Sequence, residues 1–147
     1  MLEEIIQQDI KAAMLAKDSV ALASVRAIKA AILLAKTAEN GKPVDDAEIV
    51  KMIQKLVKQR KESAEIYSQQ NRPELADNEL AEAAVMERYL PKQLSDAEVE
   101  EALKGIIAQV GATSMADMGK VMGAATKALA GQADGKLISA LVRKLLA

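Results

Sequence analysis

The sequence predicts an all-α protein, with an amino-terminal four-helix domain followed by a small three-helix tail domain. Three observations carry this. Half of the 147 residues are apolar, yet the aromatic ones are only Tyr67 and Tyr89. Alanine, leucine, methionine, glutamate and lysine, the strong helix formers, fill the chain instead. Valine and isoleucine fall at helical rather than alternating spacing, and helix start and stop signals recur between the apolar runs.

The first helix is expected from about Leu2 to Lys17, with Ile5, Ile6, Ile10, Ala13 and Met14 as its apolar stripe. Asp18-Ser19 stops it and can cap the next helix. That second helix spans about Val20 to Ala38. Leu22, Val25, Ile28, Ile32, Leu33 and Leu34 surround most of its circumference, interrupted by Arg26, Lys29 and Lys36. A helix apolar on most sides is expected in the middle of a bundle. Asn40-Gly41-Lys42-Pro43 ends it.

Asp45-Asp46-Ala47-Glu48 is a capping box that opens a third, long helix reaching about Gln70. Ile49, Met52, Ile53, Leu56 and Val57 share one face, and Lys51, Lys55 and Lys58 fall opposite. A fourth helix begins around Asn71-Arg72-Pro73-Glu74 and stops at Leu90-Pro91, because the residue before proline disfavours the helical region. The stop marks a domain boundary, giving residues 1–91 and 94–147. Ser95-Asp96-Ala97-Glu98 is another capping box, and its helix runs to Gly111. Ser114-Met115-Ala116-Asp117 opens the sixth helix, which ends near Gly131. The last runs from about Lys136 to Leu146, with Leu137, Ile138, Leu141, Val142 and Leu145 as its stripe.

The composition also excludes chemistry. Without cysteine or histidine there is no thiolate nucleophile, no Cys-based zinc site and no Ser-His-Asp triad. Glu79 and Glu82 sit three apart with no histidine partner, which does not make a metal site. No cofactor and no catalytic residue is expected. The start, Met1-Leu2-Glu3-Glu4, does not read as a secretory signal. The apolar stretch from Val20 to Ala35 is too short to span a bilayer. A cytoplasmic protein without a membrane partner is the expectation. The net charge of −1 gives no global nucleic-acid signal.

Three local features remain. Gly119 and Gly123 lie inside a helix, where each costs about 1 kcal/mol relative to alanine. Close packing against another helix of the tail is the expected compensation, and approach of a ligand's phosphate chain is the alternative. Residues 102–147 carry six basic side chains, Lys104, Lys120, Lys127, Lys136, Arg143 and Lys144, against Asp117 and Asp134, a balance of +4 that can meet phosphates. The run Lys51 to Lys61 has five basic residues and no acid. Lys58 with Glu62 and Lys61 with Glu65 are spaced to pair, so the run reads as a solvated face. Arg60 falls on the apolar face and wants a carboxylate, for which Glu79 or Glu82 is placed.

Taken together, Lys58-Gln59-Arg60-Lys61-Glu62-Ser63, Tyr67, Asn71-Arg72-Pro73-Glu74-Leu75-Ala76, Tyr89-Leu90-Pro91 and Gln93-Leu94 resemble the YqeY-like proteins of the GatB/YqeY family. In the tail, Val110-Gly111-Ala112, Asp117-Met118-Gly119-Lys120-Val121-Met122-Gly123 and Ala133-Asp134-Gly135-Lys136-Leu137-Ile138 follow the same pattern. Gln132 departs from the lysine expected there. The resemblance implies a small bacterial-type cytosolic protein. Its three-helix tail is similar to the end of the B subunit of the tRNA-dependent amidotransferase, a glutamine-using carbon–nitrogen ligase, where that region is associated with tRNA recognition. The chain itself lacks an amidase nucleophile signature and a phosphate-binding loop. The leading expectation is therefore a non-catalytic accessory protein binding tRNA, or the amidotransferase or aminoacyl-tRNA synthetase machinery, through Lys120, Lys127, Lys136, Arg143 and Lys144. The alternatives are a protein–protein interaction module using the long third helix, and an amidotransferase component active only in a complex.

Overall fold

The computed structural model describes residues 1–38 and 43–147. The described residues form an all-α protein whose helices are α1 (Leu2–Ala16), α2 (Ser19–Ala38), α3 (Asp46–Gln69), α4 (Pro73–Glu87), α5 (Asp96–Val110), α6 (Met118–Ala128) and α7 (Gly135–Leu146). The chain divides into two compact units, Met1–Leu90 and Pro91–Ala147.

The first unit is organised by how its helices end. Lys17 takes the left-handed conformation after α1, with Asp18 N–H donating to Ala13 O and Lys17 N–H to Met14 O. Asp18 then caps α2 by accepting from Ala21 N–H. The expected stop at Asn40-Gly41-Lys42 lies outside the described residues. The capping box at Asp45 and Glu48 is formed in both directions. After α3 the chain turns through Asn71, also left-handed at φ 60°, with Arg72 N–H on Tyr67 O and Asn71 N–H on Ser68 O. Asparagine tolerates this conformation better than most residues, and Pro73 then occupies the first turn of α4. α3 and α4 thus make a helical hairpin.

The core of the first unit, drawn from all four helices, holds Ile6, Ile28, Ile32, Ile49, Ile53, Val57, Ala83 and Met86. Each fully buried isoleucine contributes about 1.5–3 kcal/mol. α2 packs on α1, α3 and α4, but it is not enclosed as its composition predicts. It buries Ser24, Val25, Ile28 and Ile32 and leaves Leu33 at 50% and Leu34 at 73% exposure. Three neighbours cover only part of a helix, so one side stays open. The helical part of α4 ends three residues before the expected stop. Tyr89 and Leu90 N–H turn to carbonyls three residues back, on Met86 and Glu87, which tightens the chain ahead of Pro91.

The second unit closes around Val99, Leu103, Ile106, Val121, Ala125, Leu129, Ile138, Val142 and Leu146. Ser95 and Glu98 form the reciprocal capping box of α5, and Gly111 ends the helix at φ 70°. One turn of 3-10 helix, Met115–Asp117, precedes α6, so the expected sixth helix begins later than its Ser114 cap. The unit's first residues are tied to the loop before α7. Leu94 N–H donates to Gln132 O at 3.0 Å and the Gln93 side chain to Gly131 O.

Candidate functional site

The candidate residues of the tail lie on two helices whose inner faces are fixed by the core. α6 buries Val121 and Ala125, with Met118 and Met122 packed beside them. That register turns Gly119 and Gly123 to the far side of the helix, where both are exposed. A Cβ added at either glycine would meet nothing within 4 Å. The expected packing of these glycines against another tail helix is therefore corrected: the positions that approach neighbours are Val121 and Ala125, not the glycines. Lys120 and Lys127, seven residues apart, line one edge of the glycine face, are exposed, and make no ion pair within 4 Å among the described residues.

α7 buries Ile138, Val142 and Leu146. Its exposed residues include Lys136, Ala140, Arg143 and Lys144, so the outward face carries only positive charge. Lys144 differs from the others because its Nζ lies 3.6 Å from Glu100 Oε1 of α5. Lys144 itself is largely exposed and Glu100 half-buried, so the pair is weak in water, but it makes Lys144 the least available of the five. α5 itself bears Asp96, Glu98, Glu100 and Glu101 against Lys104. The unit is thus charge-segregated, acidic on α5 and basic on α6 and α7.

Other motif residues of the tail hold backbone. Asp117 accepts from Thr113 N–H at 3.0 Å. That bond, with a further one from Ser114 and the charge of Lys120, holds its carboxyl below the usual carboxylate range. Asp134 caps α7 by accepting from Lys136 N–H. Gln132, where a lysine is expected, contributes its carbonyl to Leu94.

In the first unit the structure brings Arg60, Glu79 and Glu82 together across the α3–α4 hairpin. Arg60 Nη1 lies 3.9 Å from Glu79 Oε2, and Nε lies 3.1 Å from Glu82 Oε2. The side chains are 29%, 18% and 14% exposed respectively. Arg60 Nε and Glu79 Oε2 are buried without an aligned hydrogen bond, so the cluster is held by charge. Lys61 reaches Glu87 of α4 at 2.6 Å, a contact across the hairpin in place of the i+4 pairing with Glu65 that its spacing suggests.

Two contacts have no short-range sequence signal. The Tyr89 hydroxyl donates to Asp9 of α1, and burial followed by that bond pushes the hydroxyl's pKa up. Glu3 of α1 takes both Lys29 and Lys36 of α2. The Lys36 hydrogen bond is the main reason its carboxyl stays below the usual range. Both contacts join residues far apart in sequence, so periodicity and capping could not reveal them.

Among the described residues, no group of three or more carboxylates is gathered where a metal ion could sit, and no helix is long and apolar enough to cross a membrane.

The chain is 39% identical over 108 residues to a protein of the yeast Meyerozyma guilliermondii named Altered inheritance of mitochondria protein 41, mitochondrial. The match covers 71% of this chain and 56% of that protein. A protein of the same name from Lachancea thermotolerans is 27% identical over 71% of this chain and 57% of its own length. One from Pyrenophora tritici-repentis is 28% identical over 96% of this chain and 78% of its own. The chain spans little more than half the length of the two yeast relatives. A family model described as Yqey-like protein matches residues 3–146, and the chain belongs to that family.

Proposed function

We propose that the chain is a non-catalytic accessory protein whose tail binds tRNA through phosphate contacts on the outward faces of α6 and α7. The observation that carries this is the pairing of Lys120 and Lys127 with an open glycine face on α6. The same unit carries exposed Lys136, Arg143 and Lys144 on α7, the helix that packs against α6. Positive charge supplies the sequence-independent attraction to a phosphate backbone, and the absence of side chains at Gly119 and Gly123 lets that backbone come close. No aromatic residue stands in the tail, so base stacking has no platform. The likeness of the tail to that of the amidotransferase B subunit supports aminoacyl-tRNA, or the machinery that amidates or charges it, as the setting. The fungal relatives are mitochondrial by name, and tRNA is present in mitochondria as well as in cytoplasm.

Titration of the full chain with total tRNA across a salt series tests the proposal. If about three phosphates are neutralised, log affinity falls against log salt with a slope of roughly −2 to −3. Absence of binding at low salt and high micromolar protein refutes it. A second reading, as a protein-interaction module, draws on the open Leu33 and Leu34 of α2 rather than on the long third helix. Binding to an apolar partner would be nearly indifferent to salt. The third reading, an amidotransferase component active only in a complex, predicts that adding the chain raises amidation of mischarged tRNA.

A further inference from the structure

The first unit holds its end firmly. The Tyr89 hydroxyl donates to Asp9, the N–H groups of Tyr89 and Leu90 donate to the carbonyls of Met86 and Glu87, and both side chains pack on the first core. The second unit takes hold at Leu94, whose N–H donates to Gln132 O and whose side chain packs on the second core. Between these anchors stand Pro91, Lys92 and Gln93, all exposed. Each peptide group is planar, so movement between the units has to be taken up by the φ and ψ torsions of these residues and by ψ of Leu90.

Several of these torsions are restricted. The pyrrolidine ring fixes φ of Pro91 and disfavours all but extended values of ψ at Leu90. Lys92 makes no hydrogen bond among the described residues, and its charge is felt by Glu98 of the same unit. Left alone, Lys92 and Gln93 would swivel freely. The Gln93 side chain changes this. Its Nε2 carries two protons, and it donates to Pro91 O at 2.9 Å and to Gly131 O. The first acceptor belongs to the connecting chain, the second to the loop before α7. The peptide group between Pro91 and Lys92 is thereby tied to the tail, across Lys92. One fully soft torsion is left between the anchors, ψ of Pro91.

We propose that Gln93 is a brace on the connection between the units: by joining Pro91 O to Gly131 O it makes Lys92 part of the tail and confines movement to rotation at Pro91. An amide suits the place, because it donates twice without carrying a charge. A carboxylate there would set its oxygens against two carbonyl oxygens, and alanine would leave both carbonyls to water. A stiff connection matters to any partner large enough to touch both units, since fewer orientations are lost on binding. The brace is a property of the free chain and does not depend on RNA being that partner.

The test is backbone nitrogen relaxation on the full chain, compared among wild type, Gln93→Ala, Gln93→Glu and Lys92→Ala. In wild type the Lys92 amide has an order parameter of about 0.8, close to that of the helices. In Gln93→Ala it falls below about 0.6, while the amides of α5, α6 and α7 keep their values, because Gln93 is exposed and Leu94 still holds Gln132. Gln93→Glu keeps the length of the side chain but loses both donors, and Lys92 loosens there as well. Lys92→Ala stays ordered at position 92. A Lys92 amide already mobile in wild type overturns the proposal, as does one that stays ordered in Gln93→Ala. An ordered Lys92 in Gln93→Glu overturns it too, because donated hydrogen bonds would not be the brace. Loosening in Lys92→Ala moves the role from Gln93 to Lys92 and overturns it likewise.

Discussion

Gly123 offers the sharpest test of how α6 is used. It lies in the interior of an eleven-residue helix, is exposed, and has no atom near the position of a missing Cβ. Alanine there loses no contact and restricts the unfolded chain, so Gly123→Ala should stabilise the tail by about 0.5–1 kcal/mol. In a unit of this size that raises the melting temperature by about 2–8 °C. Gly105 provides the matched control. It sits inside α5, is exposed, and likewise has nothing within 4 Å of an added Cβ. Gly105→Ala should stabilise to the same extent.

The two positions should part when the side chain grows and RNA is added. Leucine is also a good helix former, so Gly123→Leu and Gly105→Leu should both keep the fold. On the proposed interface, Gly123→Leu fills the space that a phosphate backbone would use and weakens tRNA binding, whereas Gly105→Leu leaves it unchanged. Thermal melts by far-UV circular dichroism and a tRNA titration read both effects. A destabilised Gly123→Ala would mean that a neighbour does press on this position. Unchanged tRNA binding in Gly123→Leu would remove the glycine face from the interface, leaving the lysines alone.

Arg60→Ala should destabilise by about 1–2 kcal/mol in denaturant melts, because Glu79 and Glu82 lose their shared cation, with the figure discounted for their partial exposure; a loss of a few tenths would show Arg60 to be simply solvated. Tyr89→Phe should cost about 1 kcal/mol through the lost bond to Asp9. Because folding raises the hydroxyl pKa, this contribution is present below tyrosine's ordinary pKa and fades as pH rises above it, so the gap between variant and wild type should narrow in alkali. Glu3 has the opposite sign: its carboxyl is held low, so its contribution is lost as pH falls through the folded value, and Glu3→Gln should flatten the acid limb of the stability profile. Lys17→Gly should stabilise by about 0.5–1 kcal/mol, the relief of a left-handed lysine less the added freedom of glycine. Residues 91–147 expressed alone should be helical and melt cooperatively, and an unstructured fragment would contradict the separate cores of the two units.

The helices were legible because local chemistry repeats their boundaries. Asp45 with Glu48 and Ser95 with Glu98 satisfy orphan backbone donors at two helix starts, and Gly111 supplies a left-handed stop. The Arg60 cluster was legible for a similar reason, since helical spacing alone places a cation on an apolar face. What stayed hidden depends on which helices meet. The open side of α2 at Leu33 and Leu34 follows from the number of its neighbours, which its own pattern does not encode. The glycine pair failed as a packing signal because two small residues four apart look the same whether they face a helix or solvent. Only the register set by Val121 and Ala125 separates these cases.

The residues that carry the family resemblance divide into two groups once each is placed. Asn71 and Pro73 make the α3–α4 turn, Gly111 ends α5, and Asp134 caps α7. Asp117 holds the loop before α6, Tyr89 ties the end of the hairpin to α1, and Arg60 is clamped across it. Each is explained by the stability of the fold. Gly119, Lys120, Gly123 and Lys136 are not, for their side chains, or the lack of them, face solvent. The glycines even act against their helix. A feature that weakens the fold and belongs to the outward surface points to something that meets that surface, and the lysines beside it give that partner a negative charge.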